Sequence, residues 1–424
     1  MEFISHSGAE AGRPNAHRLS WSEGSLLLDC GGDRRKPGYP ATLERPDAVW
    51  ISHAHGDHCG AILELLARWP RLPVLATQAT IDLLPFALGA AGTSKRRAAR
   101  IAALCRRITA VPWRRFRPLP GVNGGQIMAL PAGHISGAAM ALVDLKSAGQ
   151  RRRILYTGDF CTHDQAVVTG AGIPLMNDGV NVDMLISEAI LATDREADTL
   201  VWKQEAQALV EVVEEADGPV LIAVASIGES LEVAALLAGA GVSVMVDEYL
   251  EKVLEIGLEA GAQERAFISF GDRRRLKGRL RADGVIIAPG DQYRRGTSAA
   301  ALAGALIDDC SATLVVLNRA RKKTGAGRLI AGARGDEMNW QGRRIQRQAR
   351  VVHRRLLNHA PRWQLKAFIQ GVGAPMNLLV HGTTGARWGL KRALIKEGLD
   401  DDKLIVVEAG RSYELEPKRF CPEP

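Results

Sequence analysis

The stretch Ala48-Val49-Trp50-Ile51-Ser52-His53-Ala54-His55-Gly56-Asp57-His58 decides the reading of this chain, because an apolar strand runs straight into four metal-binding side chains within six residues. Residues two apart in extended backbone point to the same side, so His53 and His55 can grip one ion together. A helix predicted from Cys59 to Trp69, rich in Ala, Leu and Ile, changes the backbone direction. Asp57 and His58 are thereby sent towards a second position about 3.5 to 4 Å away, the spacing of a two-metal hydrolytic site. Imidazoles and carboxylates suit two divalent ions, zinc first, with manganese or iron as alternatives. A histidine-rich surface loop is the plain alternative, and four ligands at this spacing disfavour it.

Two later stretches point the same way. Pro131-Ala132-Gly133-His134-Ile135-Ser136-Gly137-Ala138 sets a histidine between glycines after a predicted strand from Gln126 to Leu130, and glycine permits close backbone approach. Ile154-Leu155-Tyr156-Thr157-Gly158-Asp159-Phe160 ends a strand on an aspartate. The order of these motifs resembles the metallo-β-lactamase superfamily. That resemblance implies an α/β fold, the αββα sandwich, and it implies the ligands residue by residue. His53, His55 and His134 would hold the first metal, Asp57 and His58 the second, and Asp159 would bridge them. The late strand Asn377-Leu378-Leu379-Val380-His381-Gly382 would bring His381 to the second metal. Asp29, ending the strand Ser25-Leu26-Leu27-Leu28, matches the family's first acid and would orient a ligand histidine; taken alone it reads as a turn residue.

A chain of 424 residues with 46% hydrophobic and 24% charged residues is globular and long enough for two compact units. Lys and Arg outnumber Asp and Glu by 55 to 47, and the net charge of +8 favours a polyanionic partner. Basic residues crowd at Lys95, Arg96, Arg97, Arg100, Arg106, Arg107, Arg114, Arg115 and Arg117 with no acid between them. They crowd again at Arg273, Arg274, Arg275, Lys277, Arg279 and Arg281. Such runs are equally the mark of a solvated helix face. The six cysteines, Cys30, Cys59, Cys105, Cys161, Cys310 and Cys421, have no zinc-finger spacing and read as free thiols of a reducing compartment. No targeting segment is legible, and no run approaches about 18 apolar residues, so a cytoplasmic protein without a membrane partner is expected.

Strands that end on candidate site residues fill the chain up to about Glu188. From Asp194 onward, helices alternate with β-branched runs: helix Glu205 to Ala216, strand Val220 to Val224, helix Ser230 to Ala240, strand Val242 to Val246, helix Tyr249 to Ala260, and strands Val285 to Ile287 and Thr313 to Leu317. This alternation predicts a parallel sheet covered on both faces. The expected organisation is therefore a first domain over 1–190, an inserted α/β domain over 191–350, and a return to the first domain over 351–424. An insertion ahead of the last metal histidine resembles the β-CASP subgroup, whose members act on nucleic acids. The resemblance runs from Ser7-Gly8-Ala9-Glu10-Ala11-Gly12-Arg13 to His381. It sets Ser187-Glu188 at the acid flanking the insertion, and Leu357-Asn358-His359-Ala360 at the family's Ser-Ala-His-Ala-Asp segment. Three departures stand out. Pro361 replaces the usual Asp, Ala288-Pro289-Gly290-Asp291 replaces a serine-rich turn that contacts phosphate, and Ser226-Ile227-Gly228-Glu229 replaces a segment usually ending in arginine. Glu229 would repel a phosphate if it faced the groove.

The resemblance implies a metal-dependent phosphodiester hydrolase in which a hydroxide shared by two metals attacks in line. Asp57, Glu188 and His359 form the candidate catalytic group. His359 is the candidate general acid, with Glu188 holding it protonated and oriented. A surface histidine at a helix start and a capping acid are the plain readings of those two. His6, His17, His163 and His353 match no motif, with His163 the nearest to an exception. Lys322-Lys323-Thr324-Gly325-Ala326-Gly327 has the residues of a P-loop in the wrong order, although Lys322 and Lys323 are candidates for a backbone phosphate. Five Tyr and eight Phe leave little for a base-stacking platform, so Arg96, Arg97, Arg106, Arg107, Arg273, Arg274 and Arg275 are the remaining nucleic-acid contacts to consider. A histidine at position 381 resembles the RNA-processing branch, so single-stranded RNA is the expected partner ahead of DNA, and a homodimer is compatible with the sequence. A DNA nuclease of the same fold, a binding scaffold that retains metals and a hydrolase of small phosphates or thioesters are the competing readings.

Overall fold

The computed structural model describes residues 1–7, 14–32, 44–89, 93–147, 149–172, 181–262, 273–275 and 284–414, with the backbone alone at 147, 258–262 and 273–275. Two seven-stranded sheets face each other. The first runs, edge to edge, Ser412–Glu414, Glu2–Ser7, Ala16–Trp21, Gly24–Leu28, Ala48–Trp50, Val74–Ala76 and Thr109–Ala110. The second runs Leu404–Val406, Met376–Leu379, Met184–Ser187, Gln150–Tyr156, Ala139–Ser147, Gln126–Pro131 and Arg117–Pro118. Leu26, Leu28 and Trp50 of the first sheet pack against Ile127, Ile154, Tyr156, Ile186 and Leu378 of the second. Leu27 and Val49, one residue out of phase, pack outward under the helices Ile62–Arg68, Gln78–Ala87 and Lys95–Cys105. Both faces of these strands are thus buried, which is why their sequences are unbroken apolar runs rather than alternating ones.

The helix expected from Cys59 to Trp69 forms as two pieces, Gly56–Cys59 and Ile62–Arg68. Backbone groups between them are taken by the segment after the strand Gly24–Leu28: Cys30 N–H donates to His58 O at 2.7 Å and Ala61 N–H to Cys30 O at 3.0 Å. Gly60 leaves room for Gly32 of that segment, since a Cβ there would meet Gly56 O at 2.4 Å and Gly32 N and O at 3.1 Å.

A third sheet, of six parallel strands, follows residue 190. Its order is Arg273–Arg275, Val244–Val246, Val285–Pro289, Val220–Val224, Thr313–Leu317 and Arg350–Arg354. The strands Val220–Val224 and Thr313–Leu317 are buried at every position and carry helices on both faces. Because Arg350–Arg354 is the edge strand of this sheet, the chain leaves it at Arg355, a few residues past the return expected at 350. One apolar cluster runs without a break from Leu130, Ile135 and Phe160 beneath the site to Ile222, Leu231 and Val315 of the third sheet and its helices. Burial of that shared apolar surface docks the two units together. Among the described residues no helix is long and apolar enough to cross a membrane.

The two crossings between the units meet at Arg355. Its buried guanidinium lies 2.7 Å from Asp194 Oδ2 and 3.0 Å from Glu196 Oε2, and its N–H donates to Glu205 at 3.1 Å. Replacing Arg355 by Met should cost about 2 kcal/mol in urea unfolding, below the roughly 3–5 kcal/mol for breaking a fully buried pair because Glu196 is largely in solvent. An unchanged urea midpoint would mean that the clamp contributes nothing.

Candidate metal centre

Every motif residue follows the end of a strand on one rim of the two facing sheets. Asp29 follows Gly24–Leu28, His53 follows Ala48–Trp50, His134 follows Gln126–Pro131, Asp159 follows Gln150–Tyr156, Glu188 follows Met184–Ser187 and His381 follows Met376–Leu379. The chain must leave each strand sharply to bring these side chains together, and Asp29 and His381 do so with positive φ, 62° and 31°. Among the described residues three groups of potential ligands form. His53, His55, His134 and Asp159 make one, Asp57, His58 and His381 a second, and Asp159, Glu188 and His359 a third, with ligand atoms in each within 4.8 Å. All the candidate ligands read from the sequence lie in these groups, and so do Glu188 and His359.

Hydrogen bonds at the outer nitrogens fix which imidazole nitrogens face inward. His134 Nδ1–H donates to Asn358 O at 2.8 Å, and His55 Nε2–H to Ile227 O at 3.2 Å. The Ser52 hydroxyl donates to Asp29 at 2.8 Å, so its oxygen accepts from His53 Nδ1–H at 3.0 Å. What remains are three bare nitrogens: His55 Nδ1 stands 3.1 Å from His53 Nε2 and 3.1 Å from His134 Nε2. Opposed lone pairs at that distance repel unless a cation lies among them. Asp159 Oδ2 lies 3.7 and 3.8 Å from His53 Nε2 and His134 Nε2, and the other oxygen of that carboxylate, Oδ1, is buried with no hydrogen-bond partner. Both observations fit a divalent cation held by imidazole and carboxylate. Burial, then the neighbouring histidines, hold His53 well below the ordinary imidazole value, and burial likewise depresses His134 and His55, so these side chains are in the neutral, ligating form.

The second group is held from within the first unit. Asp29 is buried and accepts from Ser52 N–H at 2.7 Å, from the Tyr156 hydroxyl at 2.7 Å and from His58 Nδ1–H at 2.6 Å, which turns His58 Nε2 towards Asp159 Oδ2 at 3.3 Å. This is the orienting position expected for Asp29. Asn15 was not foreseen. Its buried amide nitrogen stands 3.0 Å from His58 Nε2 and 3.1 Å from His381 Nδ1, and a lone asparagine before a strand carries no motif that would reveal it. Tyr156 and Ser52, quoted in the motifs only as strand residues, turn out to hold Asp29 in place.

His359 sits over the third group, with Nε2 4.0 Å from Asp159 and Nδ1–H donating to Glu188 Oε1 at 3.0 Å. Burial opposes charge on this ring, but Glu188, with Asp159 and Asp57 behind it, outweighs burial and raises its pKa to about 9. Glu188 is itself fixed by the N–H groups of Phe160 and Ile190, both at 3.0 Å. His163 steadies the same segment by donating to Leu357 O at 2.8 Å and is not part of the site.

The expected substrate contacts are less concentrated. Lys95, Arg96, Arg100, Arg106 and Arg107 are exposed on or just beyond the helix Lys95–Cys105, whose Ile101 and Leu104 are buried. Arg97, Arg100 and Arg107 reach carbonyls of Leu88, Leu63 and Pro70. Lys322 and Lys323 are exposed before the helix Gly325–Ala331. The side chains of Arg273, Arg274 and Arg275, residues 8–13, and Lys277, Arg279, Arg281 and Cys421 lie outside the described residues. Glu229 turns inward, accepting from Ala225 N–H at 2.8 Å and from the Asn318 amide, and burial with Asp291 raises it to about 7. A crevice of about 460 Å³ beside it is lined by Ser226, Asp247, Asp291, Thr297 and Ser298 and, among the described residues, by no Lys, Arg or His, so Ala288-Pro289-Gly290-Asp291, which replaces the serine-rich turn, itself supplies no cation for a phosphate.

A β-lactamase superfamily domain matches residues 25–232, the span that carries all the motif residues except His359 and His381. The chain thus carries a metallo-β-lactamase domain. Several of its relatives are named as ribonucleases or endoribonucleases. It is 29% identical over 199 residues to a probable RNase, MJ4, of Methanocaldococcus jannaschii, covering 45% of each chain. It is 26% identical over 247 residues to cleavage and polyadenylation specificity factor 73 of Drosophila melanogaster, covering 54% of this chain and 34% of that one. An uncharacterized Synechocystis protein, sll0514, is 32% identical over 164 residues, 38% of this chain and 27% of its own. The chain thus spans about a quarter to under half of these relatives' lengths. A crystal structure of a protein of unknown function from Enterococcus faecalis shares the fold, with a TM-score of 0.61 over 98% of this chain and 99% of that one at 13% identity.

Replacing Asp29 by Ala in this metallo-β-lactamase site should weaken divalent-metal binding at the Asp57, His58 and His381 group by about 10- to 100-fold, the usual effect of losing an orienting partner. Competition against a chromophoric chelator measures it, and an unaltered affinity would make Asp29 a purely structural acid.

Proposed function

We propose that this protein is a metal-dependent nuclease that hydrolyses phosphodiesters of single-stranded RNA, with zinc in both metal positions. The observation that carries the reading is the convergence of two ligand groups on Asp159 with a carboxylate-paired histidine, His359, directly above it. The RNase and polyadenylation-factor names of the relatives support RNA as substrate. His53, His55 and His134 would hold one cation, Asp57, His58 and His381 the other, and Asp159 both.

With divalent cations bound, the site has charge neutralisation for the phosphoryl oxygens and a source of nucleophilic water at neutral pH. The chain's own residues supply the rest. The half-buried His359 presents Nε2 towards the scissile phosphate, and Glu188 keeps Nδ1 protonated and the ring fixed. The proton on Nε2 is then available to the departing oxygen. Glu188 touches no substrate; it is a positioning residue held by two backbone N–H groups. Exposed Arg and Lys of the helix Lys95–Cys105, with Lys322 and Lys323, would add attraction to the sugar–phosphate backbone.

The test is to incubate the metal-loaded protein with end-labelled single-stranded RNA and DNA of one sequence and read the product ladder. RNA cleavage well ahead of DNA is expected; DNA cleavage alone would favour the DNA nuclease, and no cleavage of either would overturn the reading.

His359→Ala should retain both metals and lower the single-turnover rate by about 100- to 10,000-fold. The acid form of His359 is populated below its pKa, so the native rate should fall as pH rises through a limb between neutrality and about 9, because bound cations would oppose the imidazolium. The limb should vanish in His359→Ala. A native profile with no such limb, or an unchanged rate in the variant, would leave His359 without a chemical role.

A further inference from the structure

The two metal positions differ in what holds their histidines. His53 and His58 are oriented by Ser52 and Asp29, all within the first unit. His55 and His134 are oriented by backbone carbonyls from beyond residue 190: Ile227 O lies in the loop after the strand Val220–Val224 of the inserted sheet, and Asn358 O lies in the segment that returns from it. His55 depends most on the insertion, because the contact at its Nε2 is Ile227 O, 172 residues away in sequence. A neutral imidazole carries one ring proton. If Nε2–H loses that acceptor, the proton can move to Nδ1, and Nδ1 is the nitrogen facing His53 and His134.

The loop that presents Ile227 O is itself tightly seated. Gly228 has φ 93°, which side chains rarely adopt, and a Cβ there would come within 2.3 Å of Ile135 Cγ2, next to His134. One turn further on, Glu232 in the helix Glu229–Gly239 accepts the N–H groups of Val167 and Val168 of the first unit at 2.9 and 3.0 Å. The Ser136 hydroxyl reaches Gly257 O at 3.4 Å. These contacts fix the insertion against the loops that carry His134 and Asp159.

We infer that docking of the inserted domain sets the His55 tautomer through Ile227 O, and so makes binding at the His53, His55 and His134 position depend on domain closure while the Asp57, His58 and His381 position does not. The inference rests on the metal site proposed above. By linkage the dependence is reciprocal: a cation at the first position favours the docked state by the same factor by which docking favours the cation.

Two variants break the docking in different places, neither altering a metal ligand. Gly228→Val displaces the loop locally, and Glu232→Ala removes the remote tie. ¹⁵N-histidine NMR of the full chain, metal-free and then titrated with Zn²⁺, reads the His55 tautomer and both occupancies in one experiment. In the native chain His55 should be the Nε2–H tautomer, with that proton protected from solvent exchange. In both variants protection should be lost, and affinity at the first position should fall about 10- to 100-fold with the second unchanged. In the native chain, chelation should speed amide exchange in the helix Glu229–Gly239. Folded variants, with native circular dichroism, that keep the His55 signal and bind both equivalents as tightly as the native chain would overturn the inference. Equal weakening of both positions would overturn it too, since that marks general destabilisation. A native chain that binds no Zn²⁺ would instead remove the metal site itself, a distinct failure.

Discussion

The Asp159 carboxylate, buried under a crowd of imidazoles, is the constraint on which the rest of this structure depends. His53, His58, His134 and His381 approach it to between 3.3 and 3.8 Å, and His359 to 4.0 Å. Burial alone would raise the acid; His58 and His381 outweigh it and hold it well below the usual carboxylate range. A full negative charge in such a place is tolerable only with positive charge around it. Two facing sheets that end on one rim, sharp positive-φ exits at Asp29 and His381, and a return of the chain from the inserted sheet at Arg355 all serve to assemble that neighbourhood.

The site is organised in shells of increasing sequence distance. Asp29, Ser52 and Tyr156 come from adjacent strands of the facing sheets and orient His53 and His58. Asn358 and His359 arrive on the returning segment, and Ile227 O arrives on the insertion. The inserted domain is thus more than a surface added for substrate, because one of its carbonyls touches a candidate ligand histidine. Among the described residues its own crevice is lined by hydroxyls and carboxylates, and Glu229 is tied inward, while exposed Arg and Lys lie on the helix Lys95–Cys105 and before the helix Gly325–Ala331.

Much of this was legible in the sequence because the first unit's strands end on the residues that do the chemistry. The runs at Leu26–Leu28 and Val49–Ile51 are apolar at every position, and the side chains that break them are the site. The strands Val220–Val224 and Thr313–Leu317 were equally plain, being buried on both faces. What escaped was set by tertiary contact. Gly60 reads as an ordinary helix residue, and only the fold brings the backbone of Gly32 across it. The strand Arg350–Arg354, charged at both ends, gave no sign of belonging to the inserted sheet. Asn15 is a single amide whose partners lie 43 and 366 residues away, and Ile227 acts through a carbonyl, which no side-chain pattern encodes.

Anomalous X-ray scattering from crystals of the zinc-loaded protein tests directly whether two cations share Asp159. Two peaks should appear about 3.5–4 Å apart with the Asp159 carboxylate between them, one against His53, His55 and His134 and the other against Asp57, His58 and His381. A single peak, or none within reach of Asp159 in protein with saturating zinc, would rule out a two-cation site.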